Sequence, residues 1–423
     1  MPRVSLISLA FSLALLVACS TGAPPALSPQ IENPSALPTT GMPAPEPSEA
    51  GPAVSAPTPG DAPAPEVYGL RVAYLKAGDL WVWDEGGAAR QLTTGQSLSD
   101  LRVSPDGLRI AFTRGRELWA IQSDGGGERL LVPQSYLDAL KATPDETIWV
   151  DSFGWFPGRE TVYFSTWTES GEYPLPRYDL HLVEFNNPAP YAWLAAGQGG
   201  RLAFAPDGLK LTLSSHTSID VLDLAAGTRL TVHSFPEIAN YETGYLPQVI
   251  WSPDSSGFKT VVPPDAEDGV NLGPAQFLFI FPNGTVARLA SFDLVPLYET
   301  LPAISPDGTY VIYAARSGGG SALYLMDSSG ATRAYSEEDQ QVRMYGWAPD
   351  ARHFVYGLGN PARIFLGSVG SPAVDFPGTS PESVQWVDAA QFAALEDGSL
   401  VIRWLDGARV QLDTQVSRFE LFR

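Results

Sequence analysis

One short element recurs along this chain at the spacing of a structural repeat. It reads Val103-Ser104-Pro105-Asp106-Gly107, Phe204-Ala205-Pro206-Asp207-Gly208, Trp251-Ser252-Pro253-Asp254 and Ile304-Ser305-Pro306-Asp307-Gly308. Degenerate copies stand at Trp155-Phe156-Pro157-Gly158, Trp347-Ala348-Pro349-Asp350 and Trp386-Val387-Asp388. Asp207 and Asp254 lie 47 residues apart and Asp307 and Asp350 lie 43 apart, the length of one four-stranded blade of a β-propeller. The element is a strand reversal. Proline presets φ near −65°, aspartate bonds the backbone amides ahead of it, and glycine accepts positive φ. After each copy comes the same order of short apolar runs, such as residues 109–113 and 117–122, or 310–314 and 322–327, separated by further tight turns.

Seven anchors start seven repeats. Residues 71–93, with Asp79-Leu80-Trp81-Val82-Trp83, read as the last three strands of one more. The missing inner strand has a candidate at the other end of the chain, where residues 416–422 alternate apolar and polar side chains. The expected fold is therefore all-β, a single β-propeller over residues 67–423 with eight blades of four antiparallel strands. Pairing of the N- and C-terminal strands closes the ring and removes the open sheet edges that invite aggregation. Seven blades is the alternative if one degenerate repeat is not a blade. On these motifs the repeats resemble the WD40-like propeller units of the TolB family and of the propeller domains attached to prolyl oligopeptidase-type peptidases. Their signature is W-S-P-D-G followed by an I-A-F-like strand, best matched by residues 103–112 and 304–313. The resemblance implies a fold, because propellers host unrelated activities.

The chain opens with Arg3, an apolar run over residues 4–17 and small residues before Cys19, the only cysteine. This is the pattern of a secretory signal peptide over residues 1–18, and the run is short for a membrane-spanning helix of about 20 residues. Leu16-Val17-Ala18-Cys19 resembles the lipobox of bacterial lipoproteins, which implies cleavage before Cys19 and its acylation. Ser20 resembles an outer-membrane sorting signal. Several acyl chains, at about 0.8 kcal/mol per buried CH₂, make such an anchor effectively permanent. Residues 19–66 are rich in Pro, Ala, Ser, Thr and Gly without apolar periodicity, a disordered tether whose reach is at most on the order of 140 Å. The expected location is the cell envelope, outside the cytoplasm.

Loop lengths divide the two faces of the ring. Turns between the first and second, and the third and fourth, strands are tight, as at Asp124-Gly125-Gly126, Asn283-Gly284 and Ser328-Ser329-Gly330. Every long excursion, at residues 133–150, 167–178, 236–249 and 263–274, falls on the opposite face. Long loops on a rigid scaffold are where binding sites usually lie. Within them Trp167, Tyr173, Arg177, Tyr178, Tyr241 and Tyr245 belong to the residue types enriched in binding hot spots, and they are the candidate contacts for a ligand or partner.

A net charge of −21, with basic residues scattered singly, supplies no cationic stripe for nucleic acid. The four histidines, His181, His216, His233 and His353, have no metal-ligand spacing, and no G-x-S-x-G elbow or phosphate loop occurs. Asp265, Glu267 and Asp268 form an acidic loop without calcium-loop spacing. No cofactor, metal or catalytic residue is expected. The reading is a binding or scaffolding module working through the long-loop face, with a protein or polysaccharide partner in the envelope. The alternative is a carbohydrate-active enzyme with paired carboxylates in the central funnel.

Overall fold

The structure is a computed structural model. It describes residues 69–423 apart from 170–173, 237–245, 263–265, 268–269, 272–273, 295–300, 318–319, 338–340, 360–361 and 379. Eight sheets stand around one axis, each built on a four-strand path of antiparallel neighbours. The innermost strands of blades 2 to 8 are Leu98–Val103, Thr147–Trp155, Arg201–Phe204, Val249–Trp251, Ala303–Ile304, Val342–Trp347 and Ser383–Trp386. Blade 1 takes its inner strand from the far end of the chain: Val416–Phe422 pairs with Arg71–Lys76 from Arg71↔Phe422 to Lys76↔Val416. Asp79–Asp84 and Arg90–Gln91 complete that blade. The eight-bladed ring closes as the repeat count requires.

The core is divided rather than central. Eight hydrophobic clusters fill the eight interfaces between neighbouring blades, for example Val72, Tyr74, Leu395, Leu400 and Phe419 between blades 8 and 1. A radial sheet is covered on both faces, so its middle strands are apolar without strict alternation. Val72, Ala73, Tyr74 and Leu75 are all fully buried. Each such Val or Leu contributes about 1.5–3 kcal/mol by leaving water.

The repeated turn is held by its own side chains. Asp106 Oδ1 accepts from Ser104 Oγ at 2.6 Å and from the Leu108 amide at 3.0 Å, and Asp307 repeats this with Ser305 and Thr309. Burial alone would raise both carboxyls, but these donors hold them below the usual range. Gly107 and Gly308 have φ of 68° and 69°; Ser255 and Ala351 adopt the same left-handed conformation in the two Pro-Asp copies that lack the glycine. The tryptophan that opens four copies has a second role. Trp155, Trp251, Trp347 and Trp386 donate their indole N–H to Arg102, Ala203, Ala303 and Gly346 carbonyls on the inner strand of the preceding blade, at 3.0–3.3 Å. These bonds satisfy backbone groups that an innermost edge strand otherwise leaves unpaired.

Blade 3 departs from the pattern. Its first two strands, Thr147–Trp155 and Thr161–Glu169, run nine residues each, and Pro174–Pro176 adds to the outer end of the second. A helix, Gln134–Ala139, stands in the link that precedes it. In blade 5 the acidic loop contains a two-residue hairpin, Ala266–Glu267 with Val270–Asn271; Asp265 and Asp268 lie outside the described residues.

Candidate functional site

Inner strands surround the axis, and on the long-loop face their starting residues form the mouth of the central funnel. A cavity of about 340 Å³ lies there, lined by Asp151, Ser152 and Ser165 of blade 3, Tyr178 of its long loop, Gly200 and Arg201 of blade 4, and Leu246 and Leu301 ahead of the inner strands of blades 5 and 6. A β-bulge between Val150 and Phe153 presents Asp151 and Ser152 together. Ser165 Oγ lies 3.3 Å from Asp151 Oδ2 and 2.8 Å from Ser152 Oγ. Burial raises the Asp151 carboxyl above its ordinary range, the Ser165 hydroxyl opposes this, and the nearby Asp179 charge adds to it. Asp151 and Ser152 nonetheless stand exposed at the mouth, where a carboxylate can accept hydrogen bonds from a ligand.

Behind this wall stands a buried polar network. Asp179 accepts from the Thr166 amide at 2.7 Å and the Thr166 hydroxyl at 2.6 Å. His181 Nε2 and Arg177 Nε lie 3.0 and 3.3 Å from Asp179 Oδ2, at ion-pair distance but outside in-line hydrogen-bond geometry. His181 Nδ1 meets the Tyr136 hydroxyl at 2.8 Å, and its ring stacks on Phe164. Burial would raise Asp179, but the His181 ring and the Thr166 donors hold it below the ordinary range. The network thus keeps a charge 2 % exposed to solvent and fixes the long-loop backbone from behind.

Tyr178 is held in an unusual conformation. Its φ is +47°, and its ring meets His216 edge-on at 4.7 Å. The Gly199 amide donates to the Tyr178 carbonyl at 2.5 Å. A Cβ at Gly199 would collide with that carbonyl, and one at Gly200 with the Ser214 carbonyl. Two glycines therefore let the link between blades 3 and 4 close against the loop.

At the rim, Trp149 and Trp167 face each other across the strand pair, ring centroids 5.6 Å apart and planes 6° from parallel. Both are half-buried, and Trp149 Nε1 donates to exposed Glu169 at 3.2 Å. Trp167 and Ser165 share one face of their strand, two residues and about 7 Å apart.

The structure thus brings together two of the sequence-derived candidates, Trp167 at the rim and Tyr178 in the lining. Arg177 stands in the wall between them and the network, its guanidinium donating to the Leu140 carbonyl at 2.8 Å. Tyr173, Tyr241, Tyr245 and Cys19 lie outside the described residues. Sequence reasoning missed Asp151, Ser165 and Arg201, which sit on strands rather than loops, and the Tyr136–His181–Asp179 network. Asp179-Leu180-His181, two polar residues spaced to share a strand face, was the available signal for the latter. Among the described residues, no group of three or more His, Cys, Asp or Glu could hold a metal, and no helix is long and apolar enough to cross a membrane.

Fold and site define an eight-bladed β-propeller with a polar, aromatic-rimmed funnel mouth. Among solved structures, a eukaryotic initiation factor is similar with a TM-score of 0.51 at 12% identity, covering 82% of this chain and 84% of that one. An oligogalacturonate lyase in complex with manganese has a TM-score of 0.46 at 14% identity, covering 69% of this chain and 82% of that one. TolB from Acinetobacter baumannii has a TM-score of 0.33 at 16% identity and covers 64% of each chain. At these identities the likeness to the initiation factor is one of fold alone. No family model and no curated protein matches the chain.

Proposed function

We propose that this chain is a binding module of the cell envelope, held outside the cytoplasm by an acylated Cys19 and engaging its ligand at the funnel mouth on the long-loop face. The observation that carries this reading is the preorganised lining: Asp151, Ser152, Ser165 and Tyr178 converge on one cavity and are backed by a buried network. Preorganised polar groups in a concave site bind without a large ordering cost. The TolB-like repeat grammar of the W-S-P-D-G turns fits an extracytoplasmic propeller of this kind.

An enzyme with paired carboxylates would need two of them facing each other roughly 5 to 10 Å apart. Among the described lining residues Asp151 is the single carboxylate, and Asp179, whose charge acts on it, is occupied by Thr166 and His181. This favours binding. The test uses the full chain expressed in a bacterial host. Metabolic labelling with palmitate is expected to mark the wild type and not Cys19→Ala. Affinity capture from detergent-solubilised membranes is expected to recover a stoichiometric ligand or partner with the wild type, and to lose most of it with Asp151→Asn. Equal capture by both proteins would remove the funnel from the proposal, and equal labelling would remove the anchor.

A further inference from the structure

Six of the eleven tryptophans fall into two groups. Trp155, Trp251, Trp347 and Trp386 spend their indole N–H on the preceding blade and belong to the inter-blade packing. Trp149 and Trp167 instead form a parallel pair on the part of blade 3 that runs beyond the ordinary strand length. Ordinary blades have inner strands of two to seven residues; blade 3 has nine. One face of the extension buries Ile148 and Val150 with Leu137 against blade 2; the other carries two half-exposed indoles next along the strands to the funnel lining.

The order of groups down this face is specific. Trp149 and Trp167 are opposite each other in the ladder, Asp151 and Ser165 follow two residues further in, and Ser152 joins them through the bulge. A flat aromatic platform is followed, about 7 Å along the strands, by a carboxyl and three hydroxyls, those of Ser152, Ser165 and Tyr178. Flat rings accept the C–H face of a pyranose, and clustered acceptors and donors match its hydroxyls. Leu246 and Leu301 on the far wall offer apolar contact to the other face of a ring. Charge bears on the class as well. The lining carries Asp151 and Arg201 in balance, with Asp179 behind, Glu169 at the platform and a net charge of −21 over the chain, an arrangement that disfavours a polyanion.

Resting on the reading of the funnel as the binding mouth, we propose that the ligand is a neutral linear saccharide, with one ring seated on the Trp149–Trp167 pair and the next held by Asp151, Ser165 and Tyr178. The platform contributes affinity only for a chain long enough to reach both places.

The full chain in detergent is titrated with neutral linear hexasaccharides of glucose, mannose and N-acetylglucosamine, followed by calorimetry and tryptophan fluorescence. At least one is expected to bind with a change in indole emission. Trp167→Ala is expected to weaken that hexasaccharide about tenfold, and Trp167→Phe, which keeps a ring, to recover most of the loss. The matching monosaccharide is expected to be insensitive to Trp167→Ala, while Asp151→Asn weakens both. A wild-type unfolding temperature in Trp167→Phe checks that the hairpin is intact. The proposal is overturned if no neutral hexasaccharide binds, or if the platform variants bind as the wild type does. Where saccharides fail but Asp151→Asn still abolishes capture of an envelope protein, the funnel remains the binding mouth and the saccharide is wrong; where both fail, the funnel reading falls as well.

Discussion

Glu420, on the inner strand of blade 1, accepts the Val103 amide of blade 2 at 2.9 Å and so caps an edge that no strand covers. Burial raises its carboxyl to about 7, aided by Asp100, while the Val103 bond, Arg102 and Arg418 oppose the shift. The folded state therefore binds this proton more tightly than the unfolded chain does. Its contribution to stability is greatest below about pH 4.5 and is lost as pH rises through about 7. Glu420→Gln keeps the acceptor and abolishes the titration. The variant is expected to be more stable than the wild type at pH 8, by about 1–3 kcal/mol, and to lack the wild type's decline between pH 5 and 8 in thermal melts; parallel curves would exclude Glu420 as the source. Nothing local in Arg418-Phe419-Glu420 announces this role, since its partner lies 317 residues away. Asp106 and Asp307 were legible because the side chains and amides they hydrogen-bond lie within three residues.

At the scale of the element, the blade was readable from its turns and apolar runs, and the staple between blades was not. The tryptophans opening the repeats could be counted, but a carbonyl as their partner needs two blades in register. Trp251→Phe removes the bond to the Ala203 carbonyl while keeping most of the ring, and is expected to cost about 1 kcal/mol because that part-buried acceptor is left with the 3.3 Å bond from the Thr212 hydroxyl alone. Trp149→Phe, which keeps a ring beside Trp167 and loses only an N–H bond to an exposed carboxylate, is expected to cost less than half as much. Chemical denaturation of the two variants beside the wild type checks the ranking, and equal losses would deny the staple its role. Blade 3 shows the same limit from another side. Trp167 and Tyr178 were visible as loop aromatics. Asp151 was not, because a bulge re-aims residues that a regular strand would have turned elsewhere, and Ser165 gains its role only from standing opposite that bulge.

For the whole molecule, blade number and closure followed from the sequence because repeats obey a count. The funnel did not, since its lining comes from four blades spread over residues 151–301. Closure is also where the fold is most easily tested. Removing residues 416–423 deletes Val416, Phe419 and Phe422 from two inter-blade clusters and leaves Arg71–Lys76 an open edge. The loss approaches the whole margin of about 5–15 kcal/mol by which domains are stable, so the truncated chain is expected to self-associate in size-exclusion chromatography and to lose a single sharp melt. Retention of a monomeric, cooperatively melting species would show that seven complete blades and one without its inner strand suffice.

The seam also has a mechanical side. Arg71–Lys76, the first strand of the ring, is flanked by Asp79–Asp84 on one side and Val416–Phe422 on the other, with six residue pairs in each ladder. Tension applied at its N-terminal end runs along the strand and loads both ladders in shear. Many hydrogen bonds then share the pull at once, where peeling would break them one by one, and the seam resists dragging on that end of the domain.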